Sequence, residues 1–337
     1  MVNKNRFEAG NRDDWMKLRN ELIASGKLGG SMVGVAAGCS SYKSYARMWA
    51  ELKGLLPERD PSKSEAIRNG IDHEDYVAKR FCEMSGKEVH RENCIFTNDE
   101  YPHLFASIDR KISNEESGLE CKTANAFMFD KFTDAEFPKT YYAQVCSYLA
   151  VTGLTRWYLC VWCMGIFVKA YLLTTEREDL ANKPEWLTGV FFVSPEELKA
   201  CETIAANFVE SLKADECPYI DGSDDETEVL KELYPKSNGL TRNLGNEVDL
   251  LIQERASLKA EIDEKEERVS VIENTIRTKL GEDELGMTEH YKVSYKTSTT
   301  KRVNNDCIRA VNDGVIPEEY YKISEGRTLR ITKAKKA

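Results

Sequence analysis

The chain has 337 residues, of which 41% are hydrophobic and 31% charged, and its formal net charge is −10. This length exceeds the usual size of one hydrophobic core, and the composition is typical of a globular protein rather than a disordered one. The acidic balance argues mildly against nucleic acid binding, because clustered Lys and Arg normally drive contacts with phosphates. A local basic surface still suffices for DNA, so charge alone does not exclude it.

No stretch approaches the roughly 20 apolar residues that span a bilayer, and the first residues lack the apolar core of a signal peptide. We therefore expect a cytoplasmic protein with no membrane association. The ten cysteines are expected to stay reduced. Cys160 and Cys163 form a Cys-x-x-Cys pair within an apolar run, and no second close pair completes a metal set, so buried strand residues are the favoured interpretation.

The first elements predicted along the chain are helices. Residues 12–53 are expected to form helices broken by turns, with Asp13 as a cap and Gly38 as a stop. A longer helix is predicted over residues 64–86, where apolar side chains recur at helical spacing before a glycine.

The hydrophobic period then changes to that of strands. Short segments rich in β-branched and aromatic residues predict three neighbouring strands, followed by a helix from Pro138 to Gly153, two more strands and a closing helix. The strand segments are 87–98, 104–112, 118–124, 156–163 and 166–173, and the closing helix spans 194–213. This order predicts an α/β fold with a mixed central sheet flanked by helices and without a glycine-rich phosphate loop.

The last third of the chain differs in composition. Residues 215–242 are rich in Asp and Glu and predict a solvated acidic linker, which leaves residues 1–214 as the first domain. Apolar residues at heptad spacing predict a coiled-coil hairpin or a helical arm over residues 243–283, although Arg255 and Lys265 occupy two seam positions. Residues 284–337 are expected to form a small α+β module, with strands near 290–304 and 327–333 and a short helix at 306–313.

Two acidic residues and a lysine carry the chemistry. Asp109 lies in one predicted strand, and Glu120 and Lys122 lie two positions apart in the next, so the latter two emerge on the same face. Two carboxylates and one ammonium can then converge. Carboxylate oxygens suit Mg²⁺, and an ammonium can position or help deprotonate an attacking water, so the pattern indicates phosphodiester hydrolysis. The plain alternative is an exposed strand with alternating charges, but flanking apolar residues favour a functional site.

These residues lie in segments that resemble a known family. FASIDRKI followed by GLECKTA resembles the Asp…Glu-x-Lys motif of the PD-(D/E)XK, or restriction-endonuclease-like, nucleases, with Ile108 where the motif name has proline. DDWMKLRNELIASGKLGGS, GIDHEDY and YYAQVCSYLAVTG resemble the lambda exonuclease and YqaJ viral recombinase branch. The resemblance covers about residues 12–212 and implies a restriction-endonuclease-like core.

The resemblance also assigns further residues. It makes Glu74 an additional acidic group near the metals, although composition alone places Glu74 on a solvated helical face. It makes Gln144 a polar neighbour of the catalytic lysine, and Tyr148, four residues later, a supporting side chain for which a core aromatic is an equally good interpretation. Arg19, Ser31 and Ser107 match positions around a terminal 5′ phosphate or the DNA backbone. An ordinary surface charge is the alternative for Arg19.

The resemblance implies a metal-dependent deoxyribonuclease with Mg²⁺ as cofactor and Mn²⁺ as a substitute. The expected activity is digestion of linear double-stranded DNA from the 5′ end, leaving 3′ single strands for a phage-type annealing protein. A homo-oligomer such as a trimer and a phage or prophage origin in a bacterial host are also implied. The alternatives are an endonuclease or an iron–sulfur helicase-associated nuclease of the same fold, and a non-catalytic DNA-binding or scaffold protein.

Overall fold

The computed structural model describes residues 4–60, 63–108, 110–236, 239–303 and 321–333. Asp109 and the helix predicted at 306–313 lie outside the described residues. The chain divides into two units, residues 1–238 and residues 239–337.

The strands described in the first unit are β1 (Lys4–Glu8), β2 (Leu28–Gly29), β3 (Val89–Arg91), β4 (Cys94–Asn98), β5 (Leu104–Ser107), β6 (Arg110–Ile112), β7 (Ser117–Ala124), β8 (Arg156–Cys163), β9 (Phe167–Thr174) and β10 (Gly189–Phe192). The α-helices are α1 (Arg12–Ala24), α2 (Gly30–Ala36), α3 (Tyr45–Leu52), α4 (Glu65–Ser85), α5 (Lys139–Thr152), α6 (Glu178–Ala181), α7 (Pro195–Ser211) and α8 (Asp224–Leu233). A 3-10 helix covers Ala126–Lys131.

The larger sheet has the strand order β10-β9-β8-β7-β6-β3. β7 and β8 are parallel, whereas β7 pairs antiparallel with β6 and β8 antiparallel with β9. The predicted mixed α/β architecture is thus confirmed. Because parallel neighbours need a crossover connection, α5 lies between β7 and β8 in the chain, and Gly153 ends this helix in the left-handed region at φ 66°.

Two of the predicted strands are each divided between two sheets. The segment 87–98 forms β3 and β4, and the segment 104–112 forms β5 and β6. β3 and β6 belong to the larger sheet, while β4 and β5 join a second sheet of order β1-β4-β5-β2. The prediction of three neighbouring strands is therefore wrong in part, because hydrophobic alternation continues across the point where a strand changes its partner.

The central strand β7 packs apolar residues on one face. Leu119 and Cys121 join a cluster with Val77 and Phe81 of α4. The opposite side of the sheet packs against α5, where Val145 lies in a separate buried cluster. Strand alternation therefore directs Glu120 and Lys122 away from α4 and towards the α5 side.

The predicted acidic linker contains a packed helix. Arg47 of α3 is 1% exposed and donates two hydrogen bonds to Glu232 of α8, at 2.9 and 2.8 Å. Asp225 of α8 accepts a hydrogen bond of 2.7 Å from the Ser44 backbone. The prediction of a solvated linker is wrong here. The prediction considered only the cations near this segment in the sequence, whereas the arginine that pairs with these carboxylates lies far away in the sequence.

The second unit begins with α9 (Gly245–Leu280), a continuous helix of 36 residues. This single helix replaces the predicted alternative of a helical hairpin. It is followed by β11 (Leu285–Met287), β12 (Tyr291–Val303) and β13 (Tyr321–Lys333), which form one antiparallel sheet. Across the described parts of the chain, no helix combines the length and apolar character needed to cross a membrane.

We expect Glu226→Gln to stabilise the protein near pH 8. Glu226 of α8 is 2% exposed, and burial together with repulsion from Asp221 and Asp225 raises the pKa of its carboxyl. A raised folded-state pKa means that the folded state loses stability as pH rises through that pKa, so the neutral amide gains most at high pH. Thermal unfolding at pH 8 and pH 4 measures the effect, with the exposed Glu228→Gln as control. An equal effect of both variants at pH 8 would contradict the prediction.

Candidate active site

A buried carboxylate is the centre of the site. Glu120 lies in the middle of β7, is 2% exposed, and forms an ion pair with Lys122. The two side chains share one strand face, as the Glu-x-Lys spacing predicts. A charge at such depth is expensive unless hydrogen bonds and an opposite charge surround it.

The helix α5 supplies one of these hydrogen bonds. The Gln144 side chain donates to Oε1 of Glu120 at 2.8 Å and to the hydroxyl oxygen of Tyr148 at 2.6 Å. Gln144 and Tyr148 lie on one helical face because they are four residues apart. Both are buried, so the predicted residues Glu120, Lys122, Gln144 and Tyr148 form one network.

Tyr141 of the same helix was not predicted as part of the site. The Lys122 ammonium lies 5.6 Å from the centre of its ring, within the range of a cation–π interaction. Burial raises the pKa of Tyr141. The sequence holds a signal for this residue, since Tyr141, Gln144 and Tyr148 recur at spacings of three and four residues.

Glu74 lies on α4, on the other side of the sheet from α5. Its carboxylate accepts a hydrogen bond of 2.9 Å from Arg110 of β6, and Arg91 is 3.9 Å away. The same two arginines hydrogen-bond the neighbouring Asp75 and lower the pKa of its carboxyl. Glu74 is thus held beside β6, the strand next to β7, through Arg110, which was not predicted as part of the site.

The predicted phosphate-binding residues lie on three elements that meet. Trp15 of α1 donates a hydrogen bond of 2.7 Å from its indole Nε1 to the Ser107 hydroxyl at the end of β5. Arg19 lies one helical turn after Trp15 on the same face of α1. Arg19 is half-buried and donates to the Asn20 side chain at 3.3 Å. Trp15 is the residue that sequence reasoning missed here.

Ser31 lies beside the buried network in the chain. It is exposed in the first turn of α2, directly after Gly30, which packs against α5. A Cβ atom at Gly30 would lie 2.5 Å from the Tyr148 ring and 2.8 Å from the Ser147 hydroxyl. β2, which precedes α2, pairs in parallel with β5, the strand that ends at Ser107. Ser31 and Ser107 therefore follow neighbouring strands at the same edge.

The cysteine pair belongs to the core. Cys160 and Cys163 are both fully buried in β8, and burial raises the pKa of Cys160 to about 12. Residues three positions apart in a strand point to opposite faces, so the two thiols do not converge on one ion. Every cysteine within the described residues is a free thiol.

Comparison with known proteins shows which proteins this chain is similar to. Residues 14–155 match the model of the YqaJ-like viral recombinase domain. The uncharacterized protein YqaJ of Bacillus subtilis is 28% identical to this chain over 322 residues, which is 95% of this chain and 92% of that relative. The resemblance to the YqaJ viral recombinase family stated from the sequence is confirmed.

Two solved structures are also similar. One is an alkaline exonuclease, LHK-Exo, from Laribacter hongkongensis, with a TM-score of 0.38, 18% identity, and coverage of 58% of this chain and 96% of that one. The other is LHK-Exo in complex with dAMP, with a TM-score of 0.41, 18% identity, and coverage of 63% and 96%.

We expect Gly30→Ala to destabilise the first unit. The added methyl group overlaps Tyr148 and Ser147, and overpacking of this kind costs about 1–3 kcal/mol. Gly222→Ala is the matched control, because its Cβ meets nothing within 4 Å. Urea unfolding of both variants measures the difference. An unchanged midpoint for Gly30→Ala would show that α2 does not depend on this close approach.

Proposed function

Because residues 14–155 match the YqaJ-like viral recombinase domain, we propose that this chain is a recombination nuclease: a metal-dependent exonuclease that hydrolyses phosphodiester bonds of linear double-stranded DNA. The observation that carries the proposal is the buried Glu120 carboxylate, bonded to Gln144 and paired with Lys122. An apolar residue would fill this interior position at lower cost, so a buried acid beside an ammonium favours a chemical role over a structural one.

Mg²⁺, with Mn²⁺ as a substitute, is the proposed cofactor, with Glu120 and Asp109 as its proposed ligands. Glu120 fits such an ion by its donor chemistry, because carboxylate oxygens are hard ligands, and Asp109 lies outside the described residues. Glu74 was also expected near the metals, but it lies on α4, across the sheet from the face that carries Glu120, and pairs with Arg110. A bound divalent cation supplies Lewis-acid stabilisation of the charge that develops on the scissile phosphate.

The side chains of this protein take the remaining roles. Lys122 positions the attacking water. An ammonium cannot accept a proton from that water unless it has first lost a proton, so the principal role of Lys122 is electrostatic. Gln144 fixes the orientation of the Glu120 carboxylate through its 2.8 Å hydrogen bond. Tyr148 in turn holds the Gln144 amide from the next helical turn.

The polarity and the partners extend this proposal. Arg19, Ser31 and Ser107 would bind a terminal 5′ phosphate, because a guanidinium fork and hydroxyl donors match phosphate oxygens. Digestion would then run from 5′ to 3′ and leave a 3′ single strand for a single-strand annealing protein. A homo-oligomer, with a trimer as the expected form, is part of the same proposal.

The rival functions receive less support. Cys160 and Cys163 face opposite sides of β8, which does not favour an iron–sulfur nuclease. A non-catalytic DNA-binding protein gains nothing from a buried carboxylate that would repel phosphate. An endonuclease of the same fold differs in substrate, since it would cut circular DNA as well as linear DNA.

We expect Glu120→Gln and Lys122→Ala to lower hydrolysis of linear duplex DNA by about 100-fold or more, since each removes a charge at the phosphate. Digestion of linear and circular DNA with and without Mg²⁺ measures this. Glu116→Gln changes an exposed carboxylate in the turn just before β7 and serves as the control. A folded Glu120→Gln protein with near wild-type activity would refute the assignment.

We expect Arg19→Ala to slow digestion of 5′-phosphorylated DNA about tenfold more than digestion of 5′-hydroxyl DNA, because a charge-assisted contact is lost only where the phosphate exists. Initial rates on the two substrates give this ratio. Lys17→Ala, an exposed cation on the same helix, controls for general loss of positive charge. Equal slowing on both substrates would assign Arg19 to the DNA backbone in general.

A further inference from the structure

An exposed aromatic side chain lies directly after the catalytic strand. The 3-10 helix Ala126–Lys131 follows β7, and within it the Phe127 side chain is 94% exposed and Phe129 49% exposed. Exposed apolar groups that lie together mark binding surfaces.

The local structure holds the Phe127 ring outwards. The Asn125 side chain caps the 3-10 helix by accepting a hydrogen bond of 3.1 Å from the Phe127 backbone. The next residue, Met128, packs against the core, and Phe132 at the end of the helix is 1% exposed. The neighbours of Phe127 are thus held by the cap and by the core, while its own ring lies in solvent.

The C-terminal end of this helix is anchored close to Lys122. Its C-terminal end is fixed by Phe132, whose ring stacks on Tyr141 at 6.4 Å between centroids. The Tyr141 ring in turn lies 5.6 Å from the Lys122 ammonium. Phe127 follows Lys122 by five positions, so their Cα atoms are at most about 18 Å apart. Bases stacked along one strand rise about 3.4 Å each, so this distance corresponds to about five nucleotides or fewer.

We propose that Phe127 stacks on an unpaired nucleobase of the DNA strand whose phosphate lies at Glu120 and Lys122. This inference rests on the proposed nuclease function and adds a base-binding subsite to it. A phenyl ring offers no hydrogen bond, so it fits the face of any base without selecting a sequence. Faces of bases are covered by neighbours in a duplex and become available where a strand is unpaired. Lys131 on the same 3-10 helix supplies a cation for the adjacent backbone.

The test measures binding without hydrolysis. Single strands of about 12 nucleotides, with 2-aminopurine at successive positions from the 5′ end, are titrated with the full chain in EDTA. We expect Phe127→Ala to bind about tenfold more weakly and to lose the fluorescence change at one or two adjacent positions. Phe127→Trp should retain both signals. Tyr234→Ala removes another exposed aromatic of the same unit, at 72% exposure, and should bind like wild type.

Unchanged affinity and fluorescence in a folded Phe127→Ala protein would overturn the proposal. So would sedimentation showing that Phe127→Ala dissociates an oligomer while each chain still binds DNA normally, because the ring would then contact a second copy. Wild-type digestion of linear DNA with Mg²⁺ is measured in parallel. If the wild-type protein does not digest linear DNA, the nuclease function is refuted. If it does digest linear DNA but Phe127→Ala leaves the binding curve unaltered, only the stacking is refuted.

Discussion

Burial of the Glu120 carboxylate sets the requirements that the surrounding structure meets. A charge removed from water needs hydrogen-bond donors and an opposite charge within reach. The Gln144 amide supplies a donor at 2.8 Å and the Lys122 ammonium supplies the charge. Gln144 is itself held by Tyr148, and Tyr148 leaves space beside it only for a glycine at position 30. The start of α2 is therefore determined by the same carboxylate.

The crossover from β7 through α5 to β8 explains why these groups meet on one side of the sheet. Because β7 and β8 are parallel, the connecting chain must cross a face of the sheet, and α5 does so. That face receives the even-numbered residues of β7, Glu120 and Lys122, while Leu119 and Cys121 face the apolar packing of α4. One face of β7 thus carries the charged side chains and the other carries apolar side chains, and both faces are covered because the sheet has helices on both sides.

Local periodicity accounts for what the sequence could predict. The two-residue spacing of Glu120 and Lys122 and the four-residue spacing of Gln144 and Tyr148 each define a shared face, and both are present in the structure. Contacts between distant segments have no such signal. The hydrogen bond from Trp15 to Ser107 joins residues 92 positions apart. The strand pairing of β3 with β6 skips the two strands that lie between them in the chain.

Ion pairs between distant segments are likewise not predictable from local sequence. The acidic segment near α8 raised the expectation of a solvated linker, yet Arg47 and Arg59 pair with Asp225, and Arg47 also pairs with Glu232. The positive charges of these two arginines compensate the carboxylates within the first unit. Exposed charges act on a DNA phosphate mainly within about 10 Å at 0.1 M salt, so charges beyond that range contribute little there. The chain's net charge of −10 is therefore weak evidence about DNA binding. The potential at Glu120 depends instead on nearby cations such as Lys122.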